Sequence, residues 1–513
     1  MRYYLGLDNG GTTTKAALYD EKGNEVGFAS VETRMLTPKP GFTERDMDEM
    51  WEANCSVIRE VLDKTGIDGS QVRAVAICGH GKGLYLWGKN DRPVRNGIIS
   101  TDNRAWEYMV KWREDGTEKK AFELTCQHVM ACQPVALLAW LKDHEPEIMG
   151  NIKYIFEAKD YVRFRLTGEA YAEMTDFSGT NLVNLHTRQY DPRILELFGL
   201  SELMDALPPL RLSTDICGTV CAEAAMKTGL KEGTPVAGGM FDINACALAA
   251  HVADEDHVCM IAGTWSINEF IRKTPVLDGT VMMNSLFCIP EYYLIEECSP
   301  TSAGNNEWFV QTLMPEFIRE EKRAGRSPWQ EIDKMVESIA PSEFCPIFLP
   351  FLMASNVHPN AKGSFVGMSS YHTRAHLLRS VFEGIAFSHR YHYEKLRKCM
   401  ERDPKSIRLA GGAARSKVWT QIFADVMKCP VETVAVRETG ALGSAIAAAV
   451  AVGDYANINE AMDAMSRLAP AVMPNPDNFE VYDKKYELYC KTIEALDSVW
   501  DSYQALIDRT TKG

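Results

Sequence analysis

The chain has 513 residues, 46% of them hydrophobic and 24% charged, and a formal net charge of -15. This length is too great for one hydrophobic core and predicts two or three domains of an ordinary soluble globular protein. The acidic balance, without a Lys/Arg-rich patch, argues against nucleic acid as a partner. No run of about 18 apolar residues predicts a membrane-spanning helix.

Strand and helix patterns alternate through the first half of the chain. Two apolar runs, residues 3–5 and 16–19, flank a turn rich in Gly and Thr and predict a pair of antiparallel strands. The patterns that follow are an amphipathic helix over 47–66, a buried strand over 72–81, a helix over 134–149 and a strand over 152–166. This alternation predicts an α/β fold with a mixed sheet.

Near residue 250 the opening plan repeats. Residues 257–273 again place two apolar runs on either side of a Gly-Thr turn. The later patterns are a strand within 344–352, a long buried helix over 374–398, a strand, glycine turn and helix over 406–427, and a small-residue helix over 439–453. We therefore predict two domains, 1–250 and 251–513.

The C-terminal segment 479–507 repeats bulky residues at intervals of three and four. This spacing is compatible with a coiled-coil seam or with a helix that packs on the protein's own surface. About four heptads at a chain end are more typical of surface packing. We predict that a helix over 480–508 packs back on the protein.

The 14 cysteines stand singly in apolar runs, and none has a partner pair or histidine at zinc-ligand spacing. Buried free thiols in a reducing compartment explain this pattern. The N-terminus lacks the charged and apolar regions of a secretory signal. These features predict a cytoplasmic location.

The opening stretch "GLDNGGTTTKAALYD", residues 6–20, joins its two strands through glycines and hydroxyls. A plain β-hairpin would need the glycines for its turn but not three threonines and a lysine. Backbone amides freed by glycine, together with hydroxyls, form an anion-binding concavity. Because a similar turn opens the second half, we interpret both as phosphate-binding loops.

The chain resembles the FGGY carbohydrate kinases through motifs that occur in order from residue 3 to about residue 500. These motifs are "GLDNGGTTTKAALYD", "AICGHGKGLYL", "STDNRA", "AKDYVRFRLTGE", "GTPVAGGMFDINACALAA", "IAGTWSI" and "RLAGGAARSKVWTQIFADV". Each motif is weak alone, but the ordered set is specific. Within the family, "FTERDM", "GHGKGLYL" and "HTRAHLL" resemble the ketopentose kinases most.

The resemblance implies the fold and the reaction. It predicts two actin/hexokinase-like (ribonuclease H-like) domains, each a mixed sheet with flanking helices, around a central cleft. The first would bind the sugar and one phosphate loop, and the second would bind the nucleotide. The reaction would transfer a phosphoryl group from ATP, with Mg²⁺, to an alcohol group of the sugar.

The resemblance also assigns nucleotide and metal residues. Asp8 and Asp242 are predicted to bind Mg²⁺, which prefers oxygen ligands. The predicted nucleotide contacts are Gly10, Gly11, Thr12, Thr13, Lys15, Gly263, Thr264, Gly304, Gly411 and Gly412. Many relatives have Thr where this chain has Gly11. Turn and strand chemistry is the alternative for the threonines, and a plain strand-to-helix connection is the alternative for Gly411-Gly412.

Asp242 is the only acid in "GGMFDINACALAA". Burying one carboxylate among small and apolar residues is unfavourable unless its charge is needed. The family places its general base here, so we predict that Asp242 binds the sugar and accepts its hydroxyl proton. A helix N-cap is the alternative, and the two roles are compatible.

The remaining sugar contacts are predicted at His80, Lys82 and Asp102. Asp102 matches an aspartate that binds sugar hydroxyls in relatives, or else caps a turn. Lys82 replaces a histidine of D-xylulokinases or a glutamate of glycerol kinases, and Ser100 replaces a tryptophan. A lysine that donates to sugar oxygens predicts a ketopentose, with L-xylulose first, D-xylulose and L-ribulose next and glycerol last. Alternatively, Lys82 points away and pairs with a surface acid.

Two other protein classes use related folds. An actin-like ATPase would share the phosphate turns but would not need a sugar pocket such as "STDNRA". A sugar-sensing regulator would carry a DNA-binding head or a zinc cluster, and neither is present in the sequence. We therefore predict a kinase whose partners are a small sugar and ATP, with no nucleic acid or membrane partner and with a homodimer as one possible assembly.

Overall fold

The computed structural model describes residues 2–510, which form two compact units. The first unit comprises the chain up to Ala253 together with Ile271–Ile295 and Ala435–Arg467. The second comprises Asp254–Phe270, Glu296–Val434 and the chain from Leu468 onward. Two segments beyond residue 250 thus belong to the first unit. The functional assignment of 1–250 and 251–513 stays a prediction.

Strands and helices alternate as far as residue 253. The strands are β1 (Tyr3–Asn9), β2 (Thr13–Asp20), β3 (Glu25–Glu32), β4 (Glu44–Arg45), β5 (Val72–Gly79), β6 (Tyr85–Gly88), β7 (Gly97–Ile98), β8 (Ile152–Phe156), β9 (Ala172–Glu173), β10 (Val183–Asn184), β11 (Gln189–Tyr190), β12 (Leu210–Arg211), β13 (Ile216–Thr219), β14 (Pro235–Ala237) and β15 (Met240–Phe241). The helices are α1 (Met47–Thr65), α2 (Trp106–Glu114), α3 (Thr117–Thr125), α4 (Pro134–His144), α5 (Pro146–Met149), α6 (Ala158–Thr167), α7 (Met174–Phe177), α8 (Pro192–Leu197), α9 (Ala222–Thr228) and α10 (Asp242–Ala249).

The rest of the chain is richer in helix. Its strands are β16 (His257–Ala262), β17 (Ser266–Arg272), β18 (Met283–Leu286), β19 (Tyr293–Ser299), β20 (Ile347–Leu349), β21 (Ser364–Val366), β22 (Ser406–Gly411) and β23 (Val431–Thr433). Its helices are α11 (Gly304–Leu313), α12 (Pro315–Arg323), α13 (Pro328–Glu337), α14 (Arg374–Cys399), α15 (Lys417–Met427), α16 (Thr439–Ala451), α17 (Ile458–Met465), α18 (Phe479–Leu496) and α19 (Trp500–Thr510).

The main sheet of the first unit is mixed, as predicted. Strand β1 pairs antiparallel with β2 and parallel with β5, and the strand order is β13-β14-β5-β1-β2-β3. Helix α1 begins after Asp46, whose carboxylate accepts hydrogen bonds from two first-turn amides, and it ends at Gly66 in the left-handed conformation. Its apolar face is buried beside β2 and β3. The turns at the ends of β1 and β5 are therefore carried on a packed scaffold.

The second unit repeats this plan. Strand β16 pairs antiparallel with β17 and parallel with β22, which in turn pairs parallel with β23. The Gly-Thr turn between β16 and β17 thus occupies the position that the Gly-Gly turn has between β1 and β2. This repetition is the one that the sequence of residues 257–273 indicates.

One predicted strand is wrong over most of its length. Of residues 152–166, only Ile152–Phe156 form a strand, and Ala158–Thr167 form helix α6. Two charged residues of this helix, Lys159 and Arg163, are buried in the first unit. Their ion pairs with buried acids stabilise a helix that the aromatic and β-branched composition does not favour.

The C-terminal segment forms α18 and α19 with a short 3₁₀ turn between them. Tyr482 and Tyr489 of α18 are buried, and the Tyr482 hydroxyl accepts a hydrogen bond of 2.8 Å from Nη2 of Arg379 in the same unit. Within residues 2–510, no helix combines the length and apolar character needed to cross a bilayer.

Helix α10, which begins at Asp242, packs against α16 in the first unit. A Cβ atom on Gly443 of α16 would lie 2.3 Å from the carbonyl oxygen of Ala245. We expect Gly443→Ala to lower the free energy of unfolding by about 1–3 kcal/mol, since overpacking outweighs the better helix propensity of alanine. Thermal and urea denaturation measure this change.

Gly150 provides the matched control. It has right-handed helical angles, and a Cβ there would meet nothing within 4 Å. Gly150→Ala should leave stability unchanged or raise it slightly. Equal stability of the Gly443 variant and the wild type would contradict the packing argument.

Candidate active site

The turn between β1 and β2 presents unpaired backbone donors. The Gly10 amide donates to the Thr13 carbonyl at 3.1 Å, which closes the turn. Among residues 2–510, the amides of Gly11 and Thr12 donate no hydrogen bond, and Thr12 is exposed. Two free amides beside a hydroxyl are the donors that an anion requires. This geometry supports the predicted phosphate loop.

Lys15 follows the turn on β2 and lies between two acids. Its Nζ is 3.1 Å from Oδ2 of Asp8 and 2.9 Å from Oε2 of Glu438. The Asp8 carboxylate is the main cause that raises the pKa of Lys15, which therefore stays protonated. Lys15 thus fixes the orientation of Asp8 and carries a permanent charge beside the turn.

Asp242 stands at a strand-to-helix junction. Strand β15 pairs with the end of β5, Phe241 opposite Gly79, and Asp242 is then the first residue of α10. The N-cap is Phe241, whose side chain makes no capping bond, so the capping alternative is not what holds this helix end. The Phe241 amide donates to Thr175 Oγ1 at 2.9 Å, which fixes the backbone beside Asp242.

Burial raises the pKa of Asp242 to about 7, and the nearby Asp8 carboxylate adds to the effect. The positive charge of Lys82 acts in the opposite direction. A carboxyl group that titrates near neutral pH can accept a proton from a hydroxyl and release it again. This property matches the predicted role as general base.

Lys82 has the left-handed conformation, with φ of 62°, although it carries a long side chain. Such backbone strain is common at functional sites. Its Nζ lies 4.7 Å from the centre of the Phe241 ring, next to Asp242 in the chain. A Cβ on the preceding Gly81 would come within 2.7 Å of both Phe241 and Asp176, so only glycine fits there. The ammonium group is thus directed toward the Asp242 junction.

His80 is buried and neutral. Burial lowers its pKa to about 3, and its Nε2 is 2.9 Å from the Tyr85 hydroxyl. Its Nδ1 has no hydrogen-bond partner among residues 2–510. This unpartnered nitrogen is itself buried, so the sugar contact of His80 stays a prediction.

The Asp102 carboxylate is already fully engaged. Its oxygens accept bonds from the Thr43 amide at 2.7 Å, the Arg104 amide at 2.8 Å and the Arg104 guanidinium at 2.9 Å. These bonds use the acceptor capacity of both oxygens and match the turn interpretation of Asp102. A sugar hydroxyl would have to share or replace one of them.

The second unit contains a cavity of about 450 Å³ at its Gly-Thr turn. The predicted nucleotide residues that line it are Gly263, Thr264, Gly304 and Gly412. Gly411, with φ of 83°, lies against β16, where a Cβ would be 2.5 Å from the Ala262 carbonyl oxygen. Trp329 contributes an aromatic face and Asp333 an acid to the lining. The volume suits a nucleoside.

Several polar residues of the first unit were not identified from the sequence. Arg45 donates to the carbonyl oxygens of Gly10 and Gly11. Glu438 shares Lys15 with Asp8, and a buried ion network centres on Lys159. Most of these contacts join residues that are far apart in sequence. The only sequence feature that could have indicated the ion network is the set of charged residues in "AKDYVRFRL".

A magnesium ion fits the acids of the first unit. Among residues 2–510, no cluster of three or more Asp, Glu, His or Cys could hold a metal by itself. Mg²⁺ is usually held by one or two carboxylates together with water and substrate phosphates. Asp8 and Asp242 are two such carboxylates. Asp8 lies close enough to Asp242 to help raise the pKa of Asp242.

Comparisons with known proteins identify the family of the chain. Residues 3–249 match the N-terminal domain and residues 258–452 the C-terminal domain of the FGGY family of carbohydrate kinases. The chain belongs to this family and is a carbohydrate kinase. Both the family resemblance and the predicted fold class are thereby confirmed.

Individual relatives share nearly the whole chain. It is 39% identical to the L-xylulose/3-keto-L-gulonate kinase of Escherichia coli strain K12, over 96% of this chain and 97% of that protein. It is 36% identical to a probable L-xylulose kinase of Pasteurella multocida, over 97% and 100%. A ligand-bound xylulose kinase from Lactobacillus acidophilus has a similar structure, with a TM-score of 0.87, 25% identity and coverage of 98% and 100%.

Proposed function

We propose that this carbohydrate kinase transfers the γ-phosphoryl group of ATP to a hydroxyl of a ketopentose, with L-xylulose preferred and L-xylulose 5-phosphate as product. The observation that carries the proposal is the Lys82 ammonium directed to the Asp242 junction. The relatives from Escherichia coli and Pasteurella multocida are an L-xylulose/3-keto-L-gulonate kinase and a probable L-xylulose kinase, which supports this substrate. D-Xylulose, L-ribulose and glycerol are the alternative acceptors. 3-Keto-L-gulonate is a further candidate, because the Escherichia coli relative is an L-xylulose/3-keto-L-gulonate kinase.

The residues have separate roles in this reaction. Lys82 donates to a sugar oxygen, and Asp242 takes the proton of the reacting hydroxyl. The hydroxyl oxygen forms a bond to the γ-phosphorus as the bond from that phosphorus to the β–γ bridging oxygen breaks, which leaves ADP. Asp8 and Asp242 would hold Mg²⁺, which supplies charge neutralisation for the phosphates. In the first unit, the amides of Gly11 and Thr12 would bind a phosphate group. In the second unit, the cavity at the Gly-Thr turn would bind a nucleoside.

An ADP-release assay with a panel of these five acceptors tests the proposal. We expect ADP release that depends on sugar and is fastest with L-xylulose. Equal ADP release without sugar would indicate an actin-like ATPase, and sugar binding without turnover would indicate a sensor. Cytoplasmic location and a homodimer also remain proposals from the sequence, and size-exclusion chromatography with light scattering tests the dimer.

Lys82→Met should raise KM for the preferred sugar and leave KM for ATP nearly unchanged. The fall in kcat/KM for the sugar should correspond to a loss of about 1–3 kcal/mol of transition-state stabilisation, since the substitution leaves buried polar partners unpaired. Steady-state kinetics with each substrate varied in turn measures the change. Lys153→Met is the control, because Lys153 also lies over a ring, 5.3 Å from the centre of Tyr154, but pairs with surface Asp91. A wild-type sugar KM in the Lys82 variant would exclude Lys82 as a ligand.

A further inference from the structure

Arg45 is a buried arginine beneath the first phosphate turn. It belongs to the two-residue strand β4 and is 1% exposed. Its Nη1 donates to the Gly10 carbonyl at 3.2 Å, and its Nη2 donates to the Gly11 carbonyl. One guanidinium group therefore holds both carbonyls at the tip of the turn.

This turn needs an external support. Gly11 has open space around it, with nothing within 4 Å of a built Cβ, so side-chain packing does not fix its backbone. Glycine is also the residue with the greatest backbone freedom. Because Arg45 binds the carbonyl side of the turn, the amides of Gly11 and Thr12 are left for a ligand.

The charge of Arg45 also lacks an anionic partner. Among residues 2–510, no carboxylate lies within ion-pair distance of Arg45, and its Nε has no hydrogen-bond acceptor. The charge is strong enough at His80 to help lower the pKa of that imidazole, after burial as the main cause. A buried cation without a counter-charge is unfavourable until an anion comes near. A phosphate on the amides of the turn would supply that anion.

The two residues before Arg45, Thr43 and Glu44, contact the segment that contains Asp102, a predicted sugar ligand. The Thr43 amide donates to Asp102 Oδ2 at 2.7 Å. Arg104 donates both to Glu44 Oε1 at 2.8 Å and to Asp102 Oδ2 at 2.9 Å. Residues 43–45 thus connect the turn to Asp102: the Arg45 side chain binds the turn, the Glu44 side chain binds Arg104, and the Thr43 amide binds Asp102.

We propose that Arg45 is a positioning residue of phosphoryl transfer: it holds the Gly10-Gly11 turn in its phosphate-binding form and places a positive charge beneath the bound phosphate. Residues 43–45 tie this turn to the segment that carries Asp102. The proposal rests on the proposed function, because it assigns a nucleotide phosphate to the turn.

Arg45→Met and Arg45→Lys test the proposal, with Arg379→Met as the matched control. Arg379 is likewise buried and donates to two backbone carbonyls, those of Val336 and Ile339, but it does not contact either Gly turn. We expect Arg45→Met to lower kcat/KM for ATP by about ten- to hundredfold, as misplacement of a binding group does. The Kd of the sugar alone should not change. Arg45→Lys should recover only part of the loss, since an ammonium cannot bridge both carbonyls.

Hydrogen–deuterium exchange provides a readout that does not depend on activity. Peptides covering residues 8–15 should exchange faster in both Arg45 variants, and MgADP should restore protection less than in the wild type. Arg379→Met should lose stability but keep wild-type kinetics and wild-type exchange in residues 8–15. Full activity of Arg45→Lys, or unchanged exchange in Arg45→Met, would overturn the proposal. A wild-type protein without kinase activity would instead contradict the proposed function, and the exchange result would still decide the role of Arg45.

Discussion

Asp242→Asn is expected to lower kcat by about 10²–10⁴-fold, the usual contribution of a general base. Asparagine keeps the size of the side chain but cannot take the hydroxyl proton, so the Kd for the sugar, and the Kd for the nucleotide without Mg²⁺, should remain close to those of the wild type. Steady-state kinetics together with isothermal calorimetry of each ligand separates the two effects. Wild-type turnover in the folded variant would exclude Asp242 as the base.

The same variant should be more stable than the wild type above neutral pH. Burial holds the pKa of Asp242 at about 7, above the ordinary value of an aspartate, so its ionisation opposes folding. That opposition grows as pH rises from the ordinary value to about 7 and then stays constant. The melting temperature of Asp242→Asn should therefore exceed that of the wild type most clearly at pH 8. Equal melting temperatures at pH 8 would indicate that Asp242 titrates normally.

The sequence was most informative where local chemistry determines local structure. The turn of Gly10 and Gly11 between two apolar runs predicts a hairpin, and the structure has β1 and β2 there. The Gly-Thr turn at Gly263 follows the same logic and joins β16 to β17. At these positions the glycines, the apolar runs and the hydroxyls all indicate one arrangement, so the prediction needs no distant contact.

Prediction from sequence failed where distant residues decide the structure. Lys159 is buried and pairs with Asp160, its neighbour in the chain, and with Glu173 and Asp176 from the segment of β9 and α7. Arg45 likewise belongs to a two-residue strand with no periodic signal. Its contact with the carbonyls of Gly10 and Gly11 arises only because folding brings it beneath the turn.

The sugar residues divide in the same way. Asp242 could be singled out because one acid among small apolar residues is unusual in any context. Asp102 could be matched to relatives, but its carboxylate also accepts a bond from the Thr43 amide, and its partner Arg104 donates to Glu44. Thr43 and Glu44 lie almost sixty residues away. A motif identifies the residue type at a site, whereas the partners that occupy its hydrogen-bonding capacity are set by the tertiary structure.

Asp8→Asn is expected to lower kcat by about 10²–10³-fold, because a bound metal contributes several kcal/mol of charge stabilisation in such reactions. Asp8 is the last but one residue of β1, close to the phosphate turn, and an amide is a poorer ligand for Mg²⁺ than a carboxylate. The Mg²⁺ concentration required for half-maximal activity should rise as well. Activity measured across a Mg²⁺ titration at saturating sugar and ATP gives both values.

The pH profile separates this role from a loss of packing. In the wild type, kcat/KM for the sugar should rise with pH and level off above about 7, because Asp242 must be deprotonated and its pKa lies there. The Asp8 carboxylate helps to raise that pKa, so Asp8→Asn should move the rise toward lower pH. Glu438→Gln is the control: it removes the other partner of Lys15 but leaves the Lys15–Asp8 pair and both predicted metal ligands in place. If both variants had the wild-type profile and Mg²⁺ dependence, Asp8 would neither bind the metal nor act on Asp242.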